Sequence, residues 1–381
     1  MRFPSFEEAW EVKKLGEVAT NFMYGMNTAA TVYDGENQYI RITDIDERTR
    51  LFTPNPLSSP DGELEDKYLL EKGDILFART GASVGKSYLY SEKDGKIFFA
   101  GFLIRLNVKT ENPYFIFSQT LTEKYQKWVL TMSMRSGQPG INAEEYKLLP
   151  IALPSFEEQS KIAFFLSKID ERIQTQSKII NDLKTLKTAT AKKIFSQELR
   201  LKDDNGNDFS EWEEDCLENV CDIKKGEQFN KEDLNEIGLY PCLNGGISPS
   251  GFSEKYNTDE NTITISEGGN SCGFVNFMKT KFWLGGHCYK ILLFKKISLM
   301  YFYQLLKFNE QNVMNLRVGS GLPNIQMKSL KRFTIKISTS ESEQTKIANF
   351  LSAIDSKIDM ENQLLQKLEE QKKYLLQNMF V

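Results

Sequence analysis

One histidine, five cysteines, no long apolar run and no surplus of positive charge: the shortages of this 381-residue chain set the first limits on what it does. With His287 as the sole histidine, a His-Glu-x-x-His zinc motif is impossible. In its setting, Gly285-Gly-His-Cys-Tyr289, that histidine reads as structural or DNA-facing rather than as a general base. Cys216, Cys221, Cys242, Cys272 and Cys288 all lie in the second half, odd in number and without a Cys-x-x-Cys pair, so they suggest reduced thiols rather than a disulfide framework or a zinc site. No stretch approaches 18 consecutive apolar residues, and Met1-Arg-Phe-Pro4 has no signal-peptide core, so a cytoplasmic chain without a membrane segment is expected. The net charge is −4. Residues 1–155 hold 18 basic and 21 acidic groups, 156–200 hold 9 and 6, 201–338 hold 16 and 18, and 339–381 hold 5 and 7. A chain that bound DNA unaided would more often be basic overall. Either the positive charge is clustered on one face or a partner subunit supplies much of it.

What the chain does have is a repeat. Gln159-Ser-Lys-Ile-Ala-Phe-Phe-Leu-Ser-Lys-Ile-Asp170 returns, shifted by 185, as Gln344-Thr-Lys-Ile-Ala-Asn-Phe-Leu-Ser-Ala-Ile-Asp355, with nine of twelve positions identical. Apolar residues step by four and three through Ile162, Leu166, Ile169, Ile173, Ile180 and Leu183, and again through Ile347, Leu351, Ile354, Ile358, Leu365 and Leu368. That spacing is a coiled-coil seam. Both copies carry the same polar interruptions, Gln176 with Glu361 and Lys187 with Lys372, and polar seam residues fix register. Each pattern runs for about 39 residues, roughly 58 Å of helix. Mutual pairing is expected; the alternative is two separate surface helices, each covering its own domain.

The repeat extends beyond the helices. Phe6-Glu-Glu-Ala-Trp10 leading to Leu15-Gly-Glu-Val18 is matched by Phe209-Ser-Glu-Trp212 leading to Leu217-Glu-Asn-Val220. Short β-like runs follow at 39–42, 74–78 and 103–107 in the first copy and at 262–265 and 289–294 in the second, bounded by Gly, Asn, Pro and Asp. Aromatic-rich helical stretches are expected over 114–130 and 299–308. Glycine-containing loops come next, Arg135-Ser-Gly-Gln-Pro-Gly-Ile141 and Arg317-Val-Gly-Ser-Gly-Leu-Pro-Asn-Ile325, then short strands at 149–153 and 333–337 that lead into the long helices. The polar stretch 201–208 reads as a linker. The order is domain, helix, domain, helix, which suggests a pseudo-two-fold axis. An antiparallel helix pair would put the domains at opposite ends and a parallel pair at one end.

Asp74-Ile-Leu-Phe-Ala-Arg-Thr-Gly-Ala-Ser-Val-Gly-Lys-Ser87 invites comparison with a nucleotide-binding loop, but that loop needs four residues between its glycines and Gly81 and Gly85 have three. A strand, a turn carrying Arg79, Thr80, Ser83 and Lys86, and a second strand form instead a polar hairpin suited to base edges and phosphates, arginine being the commonest reader of guanine. The plain alternative is a solvated hairpin. At the corresponding place, Ile265-Ser-Glu-Gly-Gly-Asn-Ser-Cys-Gly273 offers Ser266, Asn270 and Ser271. Upstream, Tyr39-Ile-Arg-Ile-Thr-Asp-Ile45 aligns with Tyr240-Pro-Cys-Leu-Asn-Gly-Gly-Ile247. The scaffold is alike and the polar loops differ, as in two binding modules with different targets. For a carboxylate-only nuclease, Asp44 and Asp74 are loose candidates that nothing pairs.

Taken together, the aromatic opening with Leu15-Gly-Glu-Val18, Gly73-Asp-Ile-Leu-Phe-Ala-Arg-Thr-Gly81, the Ser-Gly loops before Ile141 and Ile325, and Leu153-Pro-Ser-Phe-Glu-Glu-Gln159 resemble the specificity subunits of type I restriction and modification systems over nearly the whole chain. The resemblance implies an α+β fold in which two similar target recognition domains, each a mixed β-sheet with helices, are separated by two long helices forming an antiparallel coiled coil. The segments would be 1–155, 156–200, 201–338 and 339–381. Each domain would read half of a bipartite site in double-stranded DNA, and the helices would set the spacing and dock two methyltransferase subunits, with restriction and translocase subunits joining through the complex. This chain would be non-catalytic and carry no cofactor, S-adenosylmethionine, ATP and Mg²⁺ belonging to the partners. By position, Arg41, Thr43, Arg79, Thr80, Ser83, Lys86, Arg135, Ser136 and Gln138 are the expected DNA contacts of the first domain. Asn244, Ser248, Ser266, Asn270, Ser271, His287, Arg317, Ser320 and Asn324 are those of the second. The second copy departs from the first at Ile337-Ser338, which lacks Leu-Pro, and at Asn324, which replaces Gly140. The competing reading is a coiled-coil adaptor that assembles protein partners without reading DNA.

Overall fold

The structure, a computed structural model, describes every residue except 1, 135–137, 231, 233, 295, 320, 322 and 381. The chain forms two compact units, Met1–Ser177 with Leu364–Val381, and Lys178–Gln363. These units cut across both long helices, Phe156–Phe195 and Glu341–Met379, whereas the four-segment division of the sequence cuts at their ends.

In the first unit, four antiparallel strands lie in the order Ala19–Tyr24, Leu103–Val108, Asp74–Ala78, Ser87–Leu89. The third of these is buried along its whole length. Alternation splits its side chains between two cores: Ile75 and Phe77 join the cluster that contains the long-helix stripes, while Leu76 and Ala78 join Ile40, Tyr88 and Phe99. The second unit repeats the order with Cys221–Lys225, Cys288–Leu293, Thr262–Ser266 and Val275–Met278. Each unit also has a parallel strand pair beside the main sheet, Gln38–Ile40 with Ile97–Phe99 and Tyr240–Leu243 with Trp283–Leu284. In each, the first strand of the domain pairs antiparallel with the last, Glu11–Lys14 with Pro150–Leu153 and Glu213–Cys216 with Thr334–Ile337. The last strand then hands the chain to a long helix.

One expected helix is two. The stretch 114–130 divides into Pro113–Gln119 and Glu123–Ser133, because Thr120 Oγ donates back to the Phe117 carbonyl and Thr122 caps the second helix by accepting from Tyr125 N–H. The helix expected at 299–308 is present as Leu299–Phe308. Four of the five cysteines are buried and all are free. Burial pushes the Cys288 thiol up to about 11 and the Cys221 thiol up to about 12, so both stay protonated near neutrality.

Within each unit the long-helix segments run antiparallel. In the first unit Lys372 meets Asp170 at 2.6 Å, and Tyr114 donates to the same carboxylate. In the second Lys187 meets Asp355 at 2.7 Å, and Gln304 donates to it at 2.8 Å. Each pair is the other shifted by 185 positions. The lysines that interrupt the apolar stripe are thus answered across the seam. Ile162, Leu166, Ile169, Ile173, Ile180, Ile347, Leu351, Ile358 and Leu368 are buried, whereas Leu183, Ile354 and Leu365 are only half-buried. The stripes do more than pair. One cluster joins Ile162, Leu166 and Ile169 to Leu375 and Leu376 of the second helix and also to Leu15, Phe115 and Ile116 of the domain. Ile194, Ile347 and Leu351 do the same with Leu217, Tyr301 and Leu330 in the other unit. Pairing and covering, set as alternatives by the sequence, occur together.

Candidate nucleic-acid interface

Two stretches of backbone build the same loop frame in each unit. After the buried strand Asp74–Ala78, Ile141 N–H donates to the Arg79 carbonyl at 2.9 Å, and Gly81 N–H donates to the Pro139 carbonyl at 3.0 Å. The hairpin turn is thereby fastened to the loop that precedes Ile141. After Thr262–Ser266, Ile325 N–H donates to the Glu267 carbonyl at 2.8 Å and Gly269 N–H to the Pro323 carbonyl at 3.0 Å. The turn just before a third strand supplies the other side: Arg79 N–H donates to the Phe102 carbonyl at 3.1 Å, and Glu267 N–H to the His287 carbonyl at 2.8 Å. Two glycines let the neighbouring chain come this close. A Cβ at Gly25 would run into the carbonyls of Phe99 and Ala100, and one at Gly226 into those of Gly285 and Leu284.

The turns themselves share a spacing, Gly81-Ala-Ser-Val-Gly85 and Gly269-Asn-Ser-Cys-Gly273, with all four of these glycines at positive φ. Formally this is the Gly-x-Ser-x-Gly of a hydrolase nucleophile elbow. That elbow joins a strand to a helix, whereas here each turn joins two antiparallel strands.

The expected contact residues fall into three groups. Thr43, Gln138, Ser248, Asn270, His287, Arg317 and Asn324 are exposed, on the loops named above or beside them. Arg79, Thr80, Ser83, Asn244 and Ser271 are half-buried at the frame itself. Lys86, Arg41 and Ser266 are spent on structure. Lys86 is buried, its ammonium 3.1 Å from the Ile45 carbonyl and 2.6 Å from Glu47, so it ties the hairpin to the 42–47 turn. Arg41 makes a two-pronged bond to Asp44 at 2.8 Å in each arm. Ser266 is buried and, with Ser271, donates to the Gly245 carbonyl at 2.5 Å. Lys86 and Ser266 therefore hold the loops in place rather than presenting free groups. Arg135, Ser136 and Ser320 lie outside the described residues. The two loose nuclease candidates are separately engaged: Asp44 by Arg41, and Asp74 by Asn107 at 2.6 Å in a buried setting that pushes its carboxyl up.

Four residues at the frame were not singled out from the sequence. The Arg79 guanidinium lies 4.8 Å from the Tyr24 ring centre and 5.8 Å from that of Phe102, which is 60% exposed. In the second unit Glu267 occupies the place of Arg79, with Lys225 at 2.7 Å and His287 Nδ1 at 3.9 Å. Lys225 stands where Tyr24 does, since each is the last residue of the sheet's first strand and opposes the strand that leads out of the frame, Tyr24 against Ile104 and Lys225 against Tyr289. His287 stands where Phe102 does, by the carbonyl bonds given above.

The type I restriction modification DNA specificity domain matches residues 7–185 and 209–370 of this chain. A Mycoplasma genitalium protein named as a type I specificity subunit is 34% identical over 150 residues, 39% of this chain and 39% of that relative. A Mycoplasma pneumoniae counterpart is 34% identical over 42% of this chain and 43% of its own, so the matched part spans about two fifths of the length of these two relatives. The type I restriction enzyme MjaVIII specificity subunit of Methanocaldococcus jannaschii is 23% identical over 97% of this chain and 91% of its own. Among solved structures, the crystal structure of a type I restriction-modification system S subunit from M. genitalium matches with a TM-score of 0.68 and 20% identity, covering 100% of this chain and 99% of that one. That likeness is one of fold.

Proposed function

We propose a function on one premise: the chain belongs to the type I restriction modification DNA specificity family. It is the DNA-reading, non-catalytic subunit of a type I restriction-modification complex. Residues 1–155 and 201–338 each read one half of a bipartite site in double-stranded DNA. The paired helices, 156–200 and 339–381, set the spacing between the halves and dock two methyltransferase subunits, through which restriction and translocase subunits join. S-adenosylmethionine, ATP and Mg²⁺ act on those partners, and the complex works in the cytoplasm.

The observation that carries this reading is the loop frame that occurs twice with unlike side chains on it, Arg79 with two aromatic rings in one unit and Glu267 with Lys225 and His287 in the other. A scaffold kept and a polar surface changed is what two readers of different sequences require, because base edges differ in the donors and acceptors they show. Docking by the helices is supported by Phe165 and Phe350, which correspond at the shift of 185 and are 38% and 48% exposed. The modest net charge of −4 accords with partners that supply much of the phosphate contact.

The test is a band shift with the purified chain and its methyltransferase subunits, followed by sequencing of the DNA they methylate. A two-part motif with a gap of unread bases is the expected result. A complex that assembles yet shows no sequence preference would instead support the adaptor reading.

A further inference from the structure

We propose that positions 79 and 267 are the same base-reading position, used with opposite hydrogen-bonding sense: Arg79 selects a guanine in one half-site and Glu267 selects a cytosine in the other. The inference rests on the function proposed above and adds to it the chemistry of one contact in each half.

The two positions are equivalent by their backbone bonds, each accepting from an isoleucine N–H and donating to the carbonyl of the residue just before the facing strand. Their side chains are held in opposite ways, and in both cases the holding leaves reading groups unspent. Among the described residues Arg79 has no carboxylate partner, and its buried Nε has no hydrogen bond. Two aromatic rings hold the guanidinium instead. Ring contacts orient the plane of the fork without using its N–H donors. A guanidinium presented in this way matches the N7 and O6 acceptors of guanine, and no other base shows that pair in the major groove.

Glu267 is held through one oxygen only. Lys225 donates to Oε1 at 2.7 Å and the Tyr289 hydroxyl donates to the same Oε1 at 2.8 Å. Oε2 has no hydrogen bond among the described residues, and the exposed His287 Nδ1 lies 3.9 Å from it. A carboxylate so anchored offers a fixed acceptor and no donor. Its complement in the major groove is the exocyclic amine of cytosine. Lys225 also lowers the cost of bringing an acidic group near phosphates, a cost Arg79 does not face.

The experiment uses the whole complex of this chain with its methyltransferase subunits, and reads base preference from the methylated motif and from binding to single-base variants of the site. For Arg79→Gln and Arg79→Lys, discrimination at one guanine of the first half-site should fall about 10- to 100-fold, the second half staying as in wild type. Arg79→Lys keeps the charge while removing the two-pronged fork, so it decides the matter if Arg79→Gln fails to assemble. Glu267→Gln keeps an acceptor for Lys225 and Tyr289 but adds an amide donor, so one cytosine of the second half-site should give way to adenine. Unchanged preference at every position in these variants overturns the proposal. So does a uniform weakening on all sequences, which marks a phosphate contact or a structural pin. A wild-type complex with no motif at all would instead defeat the function proposed above, a result distinct from either.

Discussion

Asp170 meets Lys372 in one unit and Asp355 meets Lys187 in the other, whereas Arg79 and Glu267, equally equivalent, carry opposite charge. Along the helices the repeat preserves polar contacts down to single atoms: Gln159 Oε1 accepts from Asn112 N–H at 3.1 Å and Gln344 Oε1 from Ser298 N–H at 2.9 Å. Buried Glu158 and Glu343 are both satisfied, the former by Arg2 at 2.7 Å and the latter by Ser338 and Trp212 at 2.6 and 2.8 Å. At the loops only the backbone bonds recur. A side chain that answers to another part of its own chain is constrained by that partner, and losing it leaves a buried polar group unpaired. A side chain that answers to something outside is free to follow its ligand. On the function proposed above, helix and loop diverge according to where their partners are.

That contrast is open to breaking at several depths. The severest test concerns length. If the helices set the half-site spacing, inserting four residues after Ser177 together with four after Gln363, where the compact units divide, adds about 6 Å and a little over one turn to each helix. The gap in the methylated motif should grow by one or two base pairs at about 3.4 Å each. Paired two-residue insertions turn the stripe by roughly 200°, and these variants should lose cooperative unfolding and methylation altogether. A four-residue variant that stays active with an unaltered gap would remove the spacing role.

Next come the buried leucines. Leu166 and Leu351 correspond and are both fully buried, so Leu166→Ala and Leu351→Ala should each cost about 2–5 kcal/mol in denaturant unfolding, by similar amounts. Their neighbours sharpen the point. Ile169 is 6% exposed while its counterpart Ile354 is half-buried, so Ile169→Ala should cost about 2–4 kcal/mol and Ile354→Ala about 1 kcal/mol. Equal losses at the isoleucines would show that exposure does not govern this seam.

A smaller effect is expected at the ion pairs. Lys372→Met and Lys187→Met should each cost about 1–2 kcal/mol, because each leaves a partly buried carboxylate with one donor fewer. Exchanging the charges, Asp170→Lys with Lys372→Asp, should recover part of the loss, and a double-mutant cycle measures how much. At the loops, Arg79→Gln should shift stability by less than about 0.5 kcal/mol, a thermal-melt null that stands beside its expected change in base preference. A large melting shift there would place Arg79 with the helices, as a residue that answers inward.

The parts legible in the sequence were those with local or periodic signals. The seam stripe, the doubled order of domain and helix, the buried strands expected at 74–78 and 262–265 and the loops before Ile141 and Ile325 follow from spacing, turn residues and a shift of 185. What escaped depended on distant partners. Lys187 reads as an interruption until Asp355, 168 positions away, is opposite it. Lys86 looks like a free cation on a turn, since nothing in sequence points to the carbonyls of Ile42 and Ile45 that it serves. Glu267 is less conspicuous in the sequence than its serine and asparagine neighbours, though laying Ala78-Arg79 on Ser266-Glu267 already sets a cation against an anion, and the matched Gly-x-Ser-x-Gly turns fix that alignment. Tyr24 and Phe102 carry no sequence signal of their role, because cation–ring geometry arises only once three separate strands meet.

The strand ladders that join the beginning of each domain to its end, Glu11–Lys14 with Pro150–Leu153 and Glu213–Cys216 with Thr334–Ile337, make each domain a plug on two adjacent leads. What lies between them meets the long helices through that doorway, its own core and a few side-chain contacts, Tyr114 to Asp170 and Arg48 to Glu369 in one unit and Gln304 to Asp355 and Lys279 to Asp359 in the other, so a foreign insert that brings the ladder and these contacts can be seated without redesigning the rest. Two crossovers, near Cys216 and Thr334, would graft a relative's segment whole. Such a hybrid should rewrite one half of the methylated sequence while keeping the other half and the gap, so that shuffling DNA between related chains would change what is recognised in single steps and leave the machinery that acts on it intact.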